Sequence, residues 1–359
     1  MSTTPLSGLK REDFQATIQG KQTDLYTLVN KHGYEVSCTN YGGALVAIMV
    51  PGRDGKVANV IQGHDNIQDV VSSPEPFLST LIGRFGNRIC KGKFTLDGKE
   101  YNLAINNGPN ALHGGPTGYH ARVWDAEQLD GKTLRLCYHG ADGEEGFPGN
   151  IDICVTYTWT DECELKIDYL ATTDKKTIIN LTHHGYFAIA GIANPTPTID
   201  TLQCQINADF FLPIDDTSIP LGEIRAVKDT PFDFTTMHAV GDMIDADDEQ
   251  IRNGAGYDHC FVLNKREFGE LSFAAKVVDP ASGRSMEVYT TEPGVQVYTD
   301  NWATGYPGQH GATFPRRSAI CFEAQHFPDS PNRGFFPPVV LNPDEEYKQT
   351  TIYKFGVER

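Results

Sequence analysis

The chain has 359 residues, 39% of them hydrophobic and 10% aromatic, with 35 Gly and 21 Pro; it is long enough to bury a large core and lies outside the high-charge, low-hydrophobicity range of disordered chains. Its 30 Lys and Arg stand against 47 Asp and Glu, a formal net charge of −17. That field repels phosphate backbones and anionic lipid, so nucleic acid and acidic membranes are excluded as first partners.

The N-terminal stretch MSTTPLSGLKREDFQATIQGK lacks the basic start and apolar run of a secretory signal, and residues 1–10 are expected to form a poorly ordered segment. No stretch approaches the roughly 18 apolar residues of a membrane span. The eight cysteines, Cys38, Cys90, Cys137, Cys154, Cys163, Cys204, Cys260 and Cys321, form no C-x-x-C pair. Several sit in apolar runs such as Ile153-Cys154-Val155, where a thiol behaves as a small hydrophobe. They read as free thiols of a cytoplasmic protein.

Along the chain, a short helix is predicted near Asn66 to Val71. Phe94-Thr95-Leu96, Asp97-Gly98 and Lys99 to Leu103 then read as a hairpin, because Asp-Gly supplies the positive φ angles of a type I′ turn. Asp130-Gly131 makes another, leading into the alternation of Leu134, Leu136 and Tyr138. Ile151 to Thr160 and Leu165 to Thr173 pair around Asp161-Glu162-Cys163. A second short helix falls near Asp247 to Arg252, and Leu271 to Val278 and Met286 to Thr290 pair around Pro280-Ala281-Ser282-Gly283. Strands at short spacing with few helices predict an all-β protein, a large antiparallel β-sandwich or barrel. No linker or repeat divides it, so residues 1–359 read as a single domain.

Function is sought where ionisable residues interrupt strand-like runs. In Thr177 to Ile189, period two places Ile178, Asn180, Thr182 and His184 on one face and Ile179, Leu181 and His183 on the other. In Ser318 to Gln325, Ile320 and Phe322 oppose Cys321, Glu323 and Gln325, and a Glu in that setting needs a partner. Asp258 and His259 open the apolar run Gly256 to Leu263. Asn87 and Arg88 end Gly83-Arg84-Phe85-Gly86-Asn87-Arg88-Ile89, and His113 follows in Asn110-Ala111-Leu112-His113-Gly114-Gly115. Each residue alone has a structural reading; Asp258, for one, can start a strand or cap a turn.

A His and a Glu on interior strand faces can work as general acid and general base. Glycoside hydrolysis would use Asp258 and Glu323 as its two carboxylates and leave the His without a task. A metal site would draw on His113, His183, His184 and His259, yet there is no H-E-x-x-H, and adjacent strand residues point to opposite faces. Glycine-rich phosphate loops and Gly-x-Ser-x-Gly are absent. Asn87, Arg88, Asp258 and Gln296 offer hydrogen-bonding groups suited to hydroxyls, so a polyol such as a sugar is the expected guest.

The segments GRFGNRICKGKFTLDGKEYNLAINNGPNALHGG, DGEEGFPG, NLTHHGYF, FLPIDDTSIPLGEI, GYDHCFVL, PGVQVYTDN and CFEAQHFPDSPN resemble, in order, the motif series of the aldose 1-epimerases (galactose mutarotases), from about Ile82 to Asn332. The resemblance implies a β-supersandwich and an enzyme that interconverts the α and β anomers of free hexoses such as galactose and glucose, with no cofactor and no metal. By the same resemblance His184 matches the general acid and Glu323 the general base. Asn87, Arg88, His113, Asp258 and Gln296 match sugar-contacting positions. His183 and Gly185 depart from the family, which more often has Asn and Ser there, and they bear on the tuning of His184. A sugar is the expected partner, the protein is expected to be a monomer, and neither nucleic acid nor a membrane is expected.

Overall fold

Period-two alternation becomes antiparallel ladders throughout residues 5–359, the part of the chain that the computed structural model describes. The longest sheet has nine strands, in the spatial order Asp125–Gln128, Thr133–Gly140, Ile151–Trp159, Glu164–Thr173, Tyr347–Val357, Arg284–Thr290, Ser272–Val278, Gln203–Ile206 and His238–Ala239. The C-terminal strand lies inside it, paired with Glu164–Thr173 on one side and Arg284–Thr290 on the other. The sheet is therefore complete only once the last strand is in place. Its alternation is one-sided: Ile151, Ile153, Val155, Tyr157 and Trp159 are buried, while the residues between them are exposed or half-buried.

A five-stranded sheet packs on that apolar face, in the order Arg225–Ala226, Phe210–Phe211, Asp258–Val262, Gly294–Tyr298 and Cys321–Gln325. Val295, Val297 and Phe322 share one core with Ile153, Val155 and Tyr353. The layers are also joined by hydrogen bonds, since the Tyr353 hydroxyl donates to the Phe322 carbonyl at 2.8 Å and the Gln349 amide to the Ala324 carbonyl at 3.1 Å. Every residue of Gly294–Tyr298 and Cys321–Gln325 is buried. Both faces are covered, one by the core and the other by polar side chains and loops. A third sheet of Leu25–Val29, Glu35–Thr39, Leu45–Pro51 and Val57–Asn59 adds Leu28, Val36 and Ile48 to the same core.

The expected hairpins form. Lys93–Leu96 pairs with Lys99–Asn102 through Asp97 and Gly98, whose φ angles of 50° and 78° are those the turn demands. The helices are Ile67–Val71, capped by Asn66, and Glu249–Gly254, capped by Asp248. None of the helices described is long and apolar enough to cross a membrane. Of the N-terminal segment expected to be poorly ordered, residues 1–4 lie outside the described residues. The next ones are held: the Glu35 carboxylate accepts from the Leu6 and Ser7 N–H groups at 2.8 and 3.1 Å, and Leu9 is buried.

Two expectations are corrected. Residues 177–189 are not one strand; only Thr177–Ile178 and Thr182–His183 join ladders, because the segment passes between different partners. Cys137 and Cys154 are not free. Strand register sets them directly opposite each other with Cα atoms 4.1 Å apart, and they form a disulfide. The other six cysteines are free. A thiol probe added to unfolded, unreduced protein should therefore label six sites and, after reduction, all eight; eight before reduction would refute the pairing.

Candidate active site

Strand register assembles half of the site. Across the last three strands of the five-stranded sheet, Cys260, Gln296 and Glu323 lie in one row, and Asp258, Tyr298 and Cys321 in the next. Registered neighbours share a face, so Asp258, Gln296, Tyr298 and Glu323 all point away from the core. His259, on the opposite face, packs against Phe232 and Phe211. The Gln296 amide donates to Asp258 Oδ1 at 2.7 Å, and the other oxygen of Asp258 stands 3.6 Å from Arg88 Nη2.

The loops supply the other half. Arg88–Ile89 pairs with Ala111–Leu112, which brings Asn87 beside His113. The Asn87 N–H donates to His113 Nδ1 at 3.0 Å, and the His113 N–H to the Asn87 carbonyl at 3.1 Å. Because Nδ1 accepts, the neutral ring carries its proton on Nε2. Asn87 and His113 both adopt positive φ, 64° and 52°. Gly114 lets the turn close, since a Cβ there would lie 2.0 Å from the Gly83 carbonyl oxygen. Arg88 is fixed by Asn107, which accepts from its Nε at 2.9 Å. Arg84, in the same segment, serves the fold instead: it is buried and donates to the Pro148 and Gly149 carbonyls.

His184 enters from the broken 177–189 segment, where side chains alternate although the ladder does not. Ile179 and Leu181 join the core, and His183 packs on Tyr157. His184 faces the cleft with Nε2 3.4 Å from Glu323 Oε1. Gly185 fits a close approach, as a Cβ there would stand 2.7 Å from the Phe187 ring. Asn180 ties the segments together. It is fully buried, its side chain donates to the Gly86 and His326 carbonyls at 3.2 Å each, and it accepts from the His326 N–H at 2.9 Å.

The result is an open cleft of about 280 Å³ lined by Asn87, Arg88, His113, His184, Asp258 and Glu323. Gln296 does not line it; it lies behind Asp258 and holds that carboxylate. Of the four histidines weighed as metal ligands, only His113 and His184 meet there, with Glu323. Sequence reasoning missed further wall residues, among them Glu75, Phe77, Tyr186, Tyr298 and Trp302. Tyr186 and Tyr298 lie two positions beyond His184 and Gln296, so period two could have found them. Nothing local marks Glu75.

Burial governs the electrostatics. It pushes His184 down to about 3, with His183 and Arg88 adding to the shift, and it lowers His113 well below the usual imidazole range. Glu323 is raised well above the carboxylate range by burial and then by Asp258 and Glu75, while Arg88 opposes the shift. Both members of the His184–Glu323 pair thus favour their neutral forms, and the pair holds a single proton over a wide pH range.

Fold and site define an all-β sandwich protein with a buried His–Glu pair in the lining of an open cleft. A family model described as aldose 1-epimerase matches residues 24–354. Galactose mutarotase from Bos taurus is 42% identical over 323 residues, 90% of this chain and 91% of that one. Aldose 1-epimerase from Escherichia coli (strain K12) is 34% identical over 347 residues, 94% and 97% of the two chains. Among solved structures, an aldose epimerase homologue from C. elegans matches with a TM-score of 0.86 at 28% identity, over 94% of this chain and 100% of that one. Galactose 1-epimerase from Lactobacillus acidophilus NCFM matches at 0.83 and 28% identity, over 98% and 100%. The chain belongs to the aldose 1-epimerase family.

Two variants test this description. Asn180→Ala leaves the Gly86 and His326 backbone groups unpaired and should destabilise the protein by about 2 to 4 kcal/mol in urea melts; an unchanged midpoint would show that these segments are held by other contacts. A carboxyl raised in the folded state weakens the fold as pH climbs above the unfolded value of 4.5. Glu323→Gln should therefore melt higher than the parent at pH 8, with the gain shrinking towards pH 4.

Proposed function

We propose that this protein is an aldose 1-epimerase that interconverts the α and β anomers of free hexoses, galactose and glucose among them, by acid–base ring opening and closure. The observation that carries the reading is the His184–Glu323 pair, 3.4 Å apart and buried, facing a cleft that Asn87, Arg88, His113 and Asp258 line with hydroxyl-binding groups. In the cyclic sugar, O1 and O5 are bonded to one carbon, so adjacent acid and base can reach both. Glu323 takes the proton from O1 as the C1–O1 bond becomes a carbonyl. The C1–O5 bond breaks, its electron pair goes to O5, and O5 takes the proton from His184 Nε2. The aldehyde turns about C1–C2, and the same transfers run backward on the other carbonyl face.

Ring opening converts an imidazolium and a carboxylate into a neutral pair. Burial favours that neutral pair, so the site supports the charge state that accompanies the open-chain sugar, and closure restores the ion pair without net proton exchange with solvent. The His113 Nε2–H and the Arg88 guanidinium are the donors available for developing negative charge at oxygen. Asp258, held by Gln296 and Arg88, is a fixed acceptor for sugar hydroxyls.

Polarimetry on freshly dissolved α-D-glucose and α-D-galactose should show equilibration accelerated over buffer; no acceleration with either sugar would refute the assignment. Activity requires one proton on the pair, because two remove the base and none removes the charged acid. With His184 lowered to about 3 and Glu323 raised, kcat/KM should persist to low pH and fall on the alkaline side when the shared proton is lost. A profile centred on an ordinary imidazole, failing below pH 6, would contradict this. Asp258→Ala should raise KM more than it lowers kcat, and a loss confined to kcat would remove Asp258 from sugar binding.

A further inference from the structure

His184 needs a fixed orientation to deliver its proton, yet its buried Nδ1 finds no hydrogen-bond partner in any other described residue. Rings surround it instead. Tyr186 stacks on the imidazole with centroids 4.8 Å apart and planes 12° apart, and Phe77 lies near-parallel at 6.4 Å and 13°. His113 and Tyr298 meet it edge-on at 5.1 and 6.0 Å. The two parallel rings come from distant segments, and one acidic side chain lies beside both residues. The Glu75 carboxylate accepts from the Phe77 N–H at 3.1 Å and faces the Tyr186 hydroxyl, whose titration its charge helps to raise. Glu75 itself is part of the cleft wall.

We propose that Glu75 is the positioning residue for His184: by holding the Phe77 backbone and the Tyr186 hydroxyl it keeps two aromatic rings parallel to the imidazole, in place of the hydrogen bond at Nδ1 that would otherwise orient it. A ring clamp restricts tilt while leaving Nε2 free to face Glu323 and the sugar, and orientation of this kind is worth far more to a proton transfer than to binding. The proposal rests on the acid role given to His184 above. The charged and titratable groups around the imidazole are Glu323, His113, His183 and Arg88, with Tyr298 at the edge and Tyr186 between it and Glu75. Beyond Tyr186, Asp300 adds a further carboxyl near Glu75.

The test compares Glu75→Ala, Glu75→Gln and Tyr186→Phe. Loss of the clamp in Glu75→Ala should lower kcat about 10-fold or more with KM within about threefold, and Tyr186→Phe should lose part of the same effect. The double variant should be no worse than Glu75→Ala alone, because both act through one contact. Glu75→Gln keeps an acceptor for both donors and should stay within about threefold of the parent. Independently of activity, the His184 ring resonance in NMR should move in Glu75→Ala, as the stacked rings shift, and return towards the parent in Glu75→Gln. An unmoved resonance with parental kcat overturns the proposal. So does a Glu75→Gln variant as impaired as Glu75→Ala, which would show that charge and not position is what Glu75 supplies. If the parent does not accelerate mutarotation at all, the proposed activity fails, while the resonance comparison still decides the clamp.

Discussion

The buried side chain of Asn180 is the contact on which the site depends. Its amide joins the Arg84–Asn87 turn to the end of the Glu323 strand, and its own backbone exchanges hydrogen bonds with Arg84 and Gly86. His184 lies four residues farther along the same segment. One side chain therefore fixes three separate pieces of chain whose functional atoms must agree to within a fraction of an ångström. Using both donors and the oxygen of a buried amide in this way is what makes the residue specific, because no apolar replacement can satisfy the groups it leaves behind.

The rest of the site follows from how a two-layer sandwich treats its inner sheet. The strands Gly294–Tyr298 and Cys321–Gln325 bury both faces. One face is apolar and packs on the long sheet, so the other can carry carboxylates and amides only if they satisfy one another. Gln296 on Asp258 and Arg88 beside Asp258 are such arrangements. Glu323 Oε2 is an exception, unpartnered among the described residues, as are Gln296 Oε1 and both amide atoms of Gln325 on the same face. A buried carboxyl left half-satisfied weakens the fold, and its burial raises its proton affinity.

His113 and His184 show how one residue type takes two roles by local geometry. The left-handed turn at His113 lets its Nδ1 accept a backbone N–H, which fixes a neutral tautomer with a donor at Nε2. His184 has no such partner at Nδ1 among the other described residues and lies against Glu323 through Nε2. Neither difference is visible in the identity of the residues.

The sequence by itself determined much of this protein. Alternation and Asp-Gly turns gave the antiparallel all-β class, because side-chain direction in a strand depends only on parity. The same parity put Glu323 opposite Phe322 and His184 opposite His183, and the ordered motifs pointed to the family. What parity cannot carry is which strands become neighbours. The Cys137–Cys154 pairing, the place of Gln296 behind Asp258 and the aromatic wall with Glu75 were decided by register and by contacts between segments far apart in the chain. The break of the 177–189 segment has the same origin: its backbone groups bond to the loops at residues 79–86 and to the strand Val340–Leu341 in turn, and those partners exist only once the fold has formed.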